Sequence, residues 1–186
     1  LAVITHTPHW REGNTHFAYG PYVREMNLWA KHSDAVTVVA PKGKTSKSKI
    51  HWPYERTDID FNEVSGLSFV SFRESVNSFS KLPSIFIKVY RAMKKADHIH
   101  LRCPGNLGMI GCVVQVLFPN TPKTAKYAGN WDPNAKQPLS YRFQKWILSN
   151  TILTKNMKVL VYGDWPNQSK NITPFFTASY SENKKV

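Results

Sequence analysis

Leu1-Ala2-Val3-Ile4-Thr5 and, further on, Ala35-Val36-Thr37-Val38-Val39-Ala40, stopped by Pro41, are two apolar, β-branched runs. Each is short and reads as a strand buried on both faces. Between them, Pro8 to Asn14 supplies Pro, Gly and Asn, which break regular structure. From about Ala18 the pattern turns helical: Tyr22, Met26 and Trp29 recur at steps of four and three and share one face. Strand, loop, helix, strand is the signature of a right-handed βαβ unit, and that unit requires a parallel sheet.

The alternation continues outward from this unit. Lys42 to Lys49 carries four lysines among Gly, Ser and Thr and reads as a mobile loop. Gly66 to Phe72 is expected as a third strand. Leu82 to Ala96 is expected as a helix, with Ile85, Val89 and Met93 at steps of four. Asp97 to Leu101 is a fourth strand, Gly105 to Phe118 an apolar helix, and Thr124 to Gly129 a fifth strand. Leu139 to Ser149 is an aromatic-rich helix and Lys158 to Tyr162 a sixth strand. The order predicts an α/β fold with a Rossmann-like, doubly wound, mostly parallel sheet. With 186 residues, 41% of them hydrophobic, there is material for one core. Residues 1–180 are expected to form one domain and residues 181–186 a tail or the start of a linker. Leu1 opens directly on a strand and Glu182 to Val186 closes on a basic tail, so the chain is expected to be one lobe of a longer protein.

Bulk charge narrows the partners. Lysine and arginine number 25 against 12 acidic residues, a net charge of +13. That excess favours anionic partners, or is balanced by an acidic second lobe. The lysines are spread along the chain and no nucleic-acid motif occurs, so nucleic acid is not expected as a partner. Two cysteines, Cys103 and Cys112, make no disulfide framework and point to a reducing compartment. No apolar run reaches the roughly 18 residues of a spanning helix.

In a doubly wound sheet the ligand crevice lies beyond the carboxyl ends of the strands. Four loops are therefore of interest. The first, His6 to His16, holds Gly13 and Asn14 but neither the three-glycine dinucleotide fingerprint nor a P-loop. Its three histidines, His6, His9 and His16, are either metal ligands of a small metal-dependent hydrolase or ordinary hydrogen-bonded side chains. At the end of the fourth strand, Arg102 has the geometry to fork onto a phosphate or carboxylate, or else to form a structural ion pair. His98 and His100 alternate onto one face of that strand. After the fifth strand, Gly129-Asn130-Trp131-Asp132 offers either an aromatic plane and polar groups for a sugar ring, or a capped turn with Trp131 in the core. The loop after Tyr162 is the fourth.

These segments in this order resemble the N-terminal domain of glycosyltransferase family 4, the group 1 glycosyltransferases. The likeness runs through Ile4 to His16, Tyr19-Gly20-Pro21-Tyr22-Val23-Arg24-Glu25-Met26, Val36 to Pro41, His100-Leu101-Arg102-Cys103-Pro104-Gly105 and Tyr127-Ala128-Gly129-Asn130-Trp131. The resemblance implies a GT-B enzyme whose N-terminal lobe binds the acceptor. It implies a retaining, metal-independent transfer from a nucleotide-sugar held mainly by a C-terminal lobe absent from this sequence. By that likeness Gly13, Asn14, Thr15 and His16 line the cleft, Arg102 and Asn106 shape the acceptor pocket, and Asn130, Trp131 and Asp132 lie beside it. Ala128 or Gly129 stands where many relatives carry a cleft histidine. Many relatives act on glycan or lipid-linked acceptors at the inner membrane face. A cytoplasmic, peripheral enzyme is thus expected, with Lys42 to Lys49, Lys81, Lys88, Arg91, Lys94 and Lys95 as contacts to an anionic surface. A basic α/β binding module is the alternative of a different class.

Overall fold

The computed structural model describes residues 1–66 and 72–176. Its strands and helices follow the chain as β1 (Ala2–Ile4), β2 (Trp10–Glu12), β3 (Thr15–Tyr19), α1 (Gly20–Ala30), β4 (Thr37–Pro41), β5 (His51–Pro53) and β6 (Asp60–Val64). They continue with α2 (Phe72–Lys94), β7 (Ile99–Cys103), α3 (Asn106–Val114), β8 (Lys123–Tyr127), α4 (Leu139–Ser149), β9 (Met157–Val161) and β10 (Ile172–Pro174). Seven strands form one sheet in the order β10-β9-β8-β7-β1-β4-β6, and every pairing in it is parallel. This is the expected Rossmann-like α/β architecture. The chain winds one way from β1 through β4 to β6, then returns to the other side of β1 with β7. The reversal between β1 and β7 is the switch point of the sheet.

Alternation along the central strands sorts the core into two layers. Ala2 and Ile4 of β1 and Val39 of β4 point to one face, where they meet Ile85, Val89 and Met93 of α2, Leu107 and Ile110 of α3, and Ile147 and Leu148 of α4. Val3, Val38 and Ala40 point to the other face and pack on Tyr22, Val23, Met26 and Ala30 of α1. Burying each of the larger aliphatic side chains among these contributes roughly 1.5–3 kcal/mol. The predicted steps of four in α2 and of four and three in α1 are these two contact faces. α3 sits close to the sheet because Gly108 and Gly111 allow it. A Cβ on Gly108 would stand 2.6 Å from the Arg102 carbonyl oxygen, and one on Gly111 would stand 2.9 Å from Leu101.

Three features depart from expectation. Residues 6–16 are not one loop: β2 and β3 pair antiparallel, and β5 joins β3 in a small second sheet. α1 accordingly begins at Gly20, once β3 ends, with Pro21 in its first turn. The third strand of the main sheet is β6, not Gly66 to Phe72, of which residues 67–71 lie outside the described residues. The basic loop after β4 is also held in place. Trp10 donates its indole N–H to the Thr45 carbonyl at 2.6 Å, and Lys47 pairs with Glu12 at 2.7 Å. The expected tail at 181–186 lies outside the described residues. Among the described residues no helix is long and apolar enough to cross a membrane.

Candidate functional site

β7 and β8 run in a register that sets Arg102 directly beside Lys126. Like charges opposed across two strands repel, and α1 supplies the counter-charge. Glu25 sits on the same helical face as Tyr22 and Trp29, which carries it over this part of the sheet. One carboxylate oxygen accepts from Arg102 Nη1 at 2.6 Å and the other from Lys126 Nζ at 2.7 Å. The cluster is nearly dry: Arg102 is 12% exposed, Glu25 13% and Lys126 3%. Arg102 lies over the Tyr22 ring at 5.2 Å, and Lys126 over Phe175 at 4.4 Å.

The cluster forms the floor of a groove of about 520 Å³ between α1 and the β7–β9 face of the sheet. His6 and Thr7 enter from the loop after β1, and Tyr19, Leu28 and Trp29 from α1 and its approach. Ala128, Leu160, Tyr162 and Phe175 come from the ends of β8, β9 and β10. Tyr19, Leu28 and Tyr162 are exposed at its mouth. The groove thus combines aromatic faces with a buried, charged hydrogen-bonding floor. His100 lies behind it, fully buried, with Nδ1 on Thr124 Oγ1 at 2.8 Å and its ring 4.8 Å from Trp29. Burial first, then the Arg102 charge and those of His98 and Lys126, push its pKa well below the usual value, so it is neutral.

A second, smaller crevice of about 300 Å³ opens at the switch point itself. It is bounded by His6, Pro41, Val64, Gly105, Asn106 and Tyr141. His6 forms the partition between the two spaces. Gly105 is required there, because a Cβ would come within 2.8 Å of the His6 ring. The start of α3 faces this crevice, and Gly105 donates its N–H to Gln144 Oε1 at 3.3 Å.

The residues singled out from the sequence separate into those that meet here and those that do not. Arg102 lines the groove and Asn106 the crevice. The ion-pair reading of Arg102 holds, since it is paired with Glu25, and the residue also lines the groove. Gly13 and Asn14 are the two-residue turn of the β2–β3 hairpin, and only Gly13 has a positive φ, +57°. Thr15 begins β3. His16 is buried against Phe61, ring centroids 5.2 Å apart, with both ring nitrogens unpartnered. None of these four lines the groove or the crevice. Trp131 is 2% exposed in the main core, edge-on to Tyr127, and donates its indole N–H to Gln168 at 2.8 Å. Of its two readings, the core one holds. Asn130 and Asp132 accept backbone N–H bonds from Asp132 and Asn134, each at 2.8 Å, as turn residues do.

The three histidines of the first loop do not converge. His9 donates Nδ1–H to the Thr7 carbonyl at 2.9 Å and accepts the Tyr54 hydroxyl at Nε2 at 2.8 Å, which leaves no nitrogen for a metal. Burial pushes its pKa down to about 4. Among the described residues no three His, Cys, Asp or Glu side chains come together as a metal-holding group. Cys103 and Cys112 are free, buried and in contact, 3.7 Å between sulfurs.

Sequence reasoning missed Glu25 and Lys126. Glu25 carried a signal, as a lone acid three residues from Tyr22 and four from Trp29 on a face that otherwise packs. Lys126 carried a weaker one, as a charge inside a strand between Ala125 and Tyr127. No protein-family model matches the chain, and no curated protein matches it.

Proposed function

We propose that the chain is the acceptor-binding lobe of a retaining glycosyltransferase of GT-B architecture. It works with a C-terminal lobe that holds the nucleotide-sugar. The observation that carries this reading is the groove, in which aromatic faces surround a dry, charged floor at the carboxyl ends of β7 and β8. Sugar rings stack their apolar faces on aromatic side chains and spend their hydroxyls on fixed polar groups. The switch-point crevice beside it, reached past His6, gives a donor lobe a place to face.

On this reading the chain's own residues bind and orient, and the Glu25–Arg102–Lys126 cluster fixes the acceptor against the sheet. Holding an acceptor in line with a donor converts a bimolecular step into a positioned one, which supplies much of a transferase's acceleration. No metal is assigned a role. The acceptor is a glycan or lipid-linked saccharide, and the work is cytoplasmic at an anionic membrane surface. Two observations favour the surface: Lys88, Arg91, Lys94 and Lys95 are exposed along the end of α2 and just beyond it, and an apolar groove lies between α2, α3 and α4, where Phe86, Val113 and Phe143 are exposed. Each basic residue held near such a surface contributes about 1 kcal/mol.

The test is a screen of the full-length gene product against a panel of nucleotide-sugars, with and without chelator. Chelator-resistant turnover of one donor, lost when Arg102 is replaced by Gln, is the expected result. Failure to turn over any donor with any saccharide acceptor would sink the reading.

A further inference from the structure

Glu25 engages Arg102 in an unusual way for an ion pair this close. A carboxylate facing a guanidinium squarely takes two parallel N–H bonds. Here one oxygen takes Arg102 Nη1 and the other is turned to Lys126. A guanidinium carries five N–H donors, and among the described residues Arg102 spends one of them on a hydrogen bond. Its other nitrogens are not sealed away, although the side chain as a whole is 12% exposed. Arg102 is one of the residues that line the groove. The guanidinium lies over the Tyr22 ring, 5.2 Å from Cζ to the ring centroid. The pairing across the strands and the shared carboxylate hold its position.

We propose that this unspent edge of Arg102 is a seat for an anionic substituent, a carboxylate or phosphate, on the saccharide that occupies the groove. The inference rests on reading the groove as a saccharide site and narrows it to charged saccharides: uronic acids or sugar phosphates. Three features support it together. The donors are arranged as a fork, which matches two oxygens of one group. The cluster holds two cations to one carboxylate across Glu25, Arg102 and Lys126, and their charges add to the burial that keeps His100 neutral behind it. The aromatic side chains at the mouth leave room for the uncharged remainder of a ring.

The experiment is a titration of the 186-residue chain followed by NMR, reading the Arg102 side-chain N–H signals and the backbone of β7 and β8. The probes are glucose, glucuronate, glucose 1-phosphate, acetate and inorganic phosphate. At least one charged sugar is expected to bind ten-fold or more tightly than glucose while shifting the Arg102 signals. Glucuronate against glucose 1-phosphate decides between carboxylate and phosphate. Arg102→Gln should abolish the preference, and Arg102→Lys should keep only part of it. Equal binding of charged and neutral sugars by the unmodified chain would overturn the proposal and leave the saccharide site standing. Persistence of the preference in a folded Arg102→Gln chain would overturn it too. If acetate or phosphate binds at Arg102 and no sugar improves on it, the anion seat stands and the saccharide reading falls. The comparison within the unmodified chain decides the matter even if the variants fail to fold.

Discussion

Replacing Glu25 by Gln should move two properties of the protein in opposite directions. The substitution keeps the size and shape of the side chain and removes its charge. Arg102 and Lys126 are then left side by side with no counter-ion between them among these three residues. Groups bonded to the two oxygens of one carboxylate lie on the order of 5 Å apart. At an effective dielectric of about 20 their repulsion is roughly 3 kcal/mol. Mutational experience with a buried ion pair broken on one side gives about 3–5 kcal/mol, and partial exposure here argues for the lower end. A loss of about 3 kcal/mol is a large part of the roughly 5–15 kcal/mol that holds a domain together. In urea, with a slope of about 2 kcal/mol per molar, the unfolding midpoint should fall by about 1.5 M. The same change should strengthen binding of anions in the groove, because both cations are released from Glu25. Inorganic phosphate should therefore raise the midpoint of the variant more than that of the unmodified chain, through mass action on the folded state. Unfolding curves by circular dichroism at pH 7.5, with and without phosphate, measure both effects. A midpoint within about 0.4 M of the unmodified chain, or one that phosphate does not move, would refute the electrostatic account of this cluster.

Acidification should also weaken the fold. His9 has a folded pKa of about 4 against about 6.5 unfolded, so the unfolded state binds the extra proton. Its contribution is intact above pH 6.5 and is lost as the pH falls toward 4, amounting to about 3 kcal/mol. Buried His100 acts with the same sign. Melting curves at pH 7.5 and 5 should differ accordingly, and His9→Gln should flatten the dependence. Trp131→Ala should cost about 3–5 kcal/mol in urea unfolding and leave sugar binding unchanged; an exposed sugar platform would behave in the reverse way. Gly108→Ala should destabilise by about 1–3 kcal/mol, despite a helix-propensity gain of up to about 1 kcal/mol, because the new Cβ meets the Arg102 carbonyl, which is backbone. Thermal unfolding that improves in this variant would contradict the packing described for α3.

The elements legible in the sequence were those whose local pattern and tertiary burial agree. The runs at Leu1 to Thr5 and Ala35 to Ala40 became β1 and β4, and Leu139 to Ser149 became α4 with the expected bounds. The elements missed were short, polar and at edges. β6 reads Asp60-Phe61-Asn62-Glu63-Val64, with too few apolar residues to stand out. The β2–β3 hairpin hid behind its own turn. Gly13-Asn14 was read as a loop, although two residues of that kind between short strands are a hairpin signal. For the groove, Arg102 could be picked out because it ends a strand. Its partners could not, because the register that sets Lys126 beside it and the helix that lowers Glu25 onto both exist only once the sheet has formed.

That dependence has a consequence during synthesis. β1 is central in the sheet but precedes the sheet's other strands in sequence, and its neighbour β7 begins at Ile99. At about 5–20 residues per second, a ribosome takes on the order of ten seconds to deliver β7 after β1. Throughout that interval one edge of an apolar strand is unpaired, and such edges invite association with other chains. The bonds from Glu25 then close loops of 77 and 101 residues, and contacts so distant in sequence form slowly. A nascent chain of this protein should therefore engage holding chaperones until β7 emerges, and a ligand of the groove will recognise only molecules whose sheet has been completed.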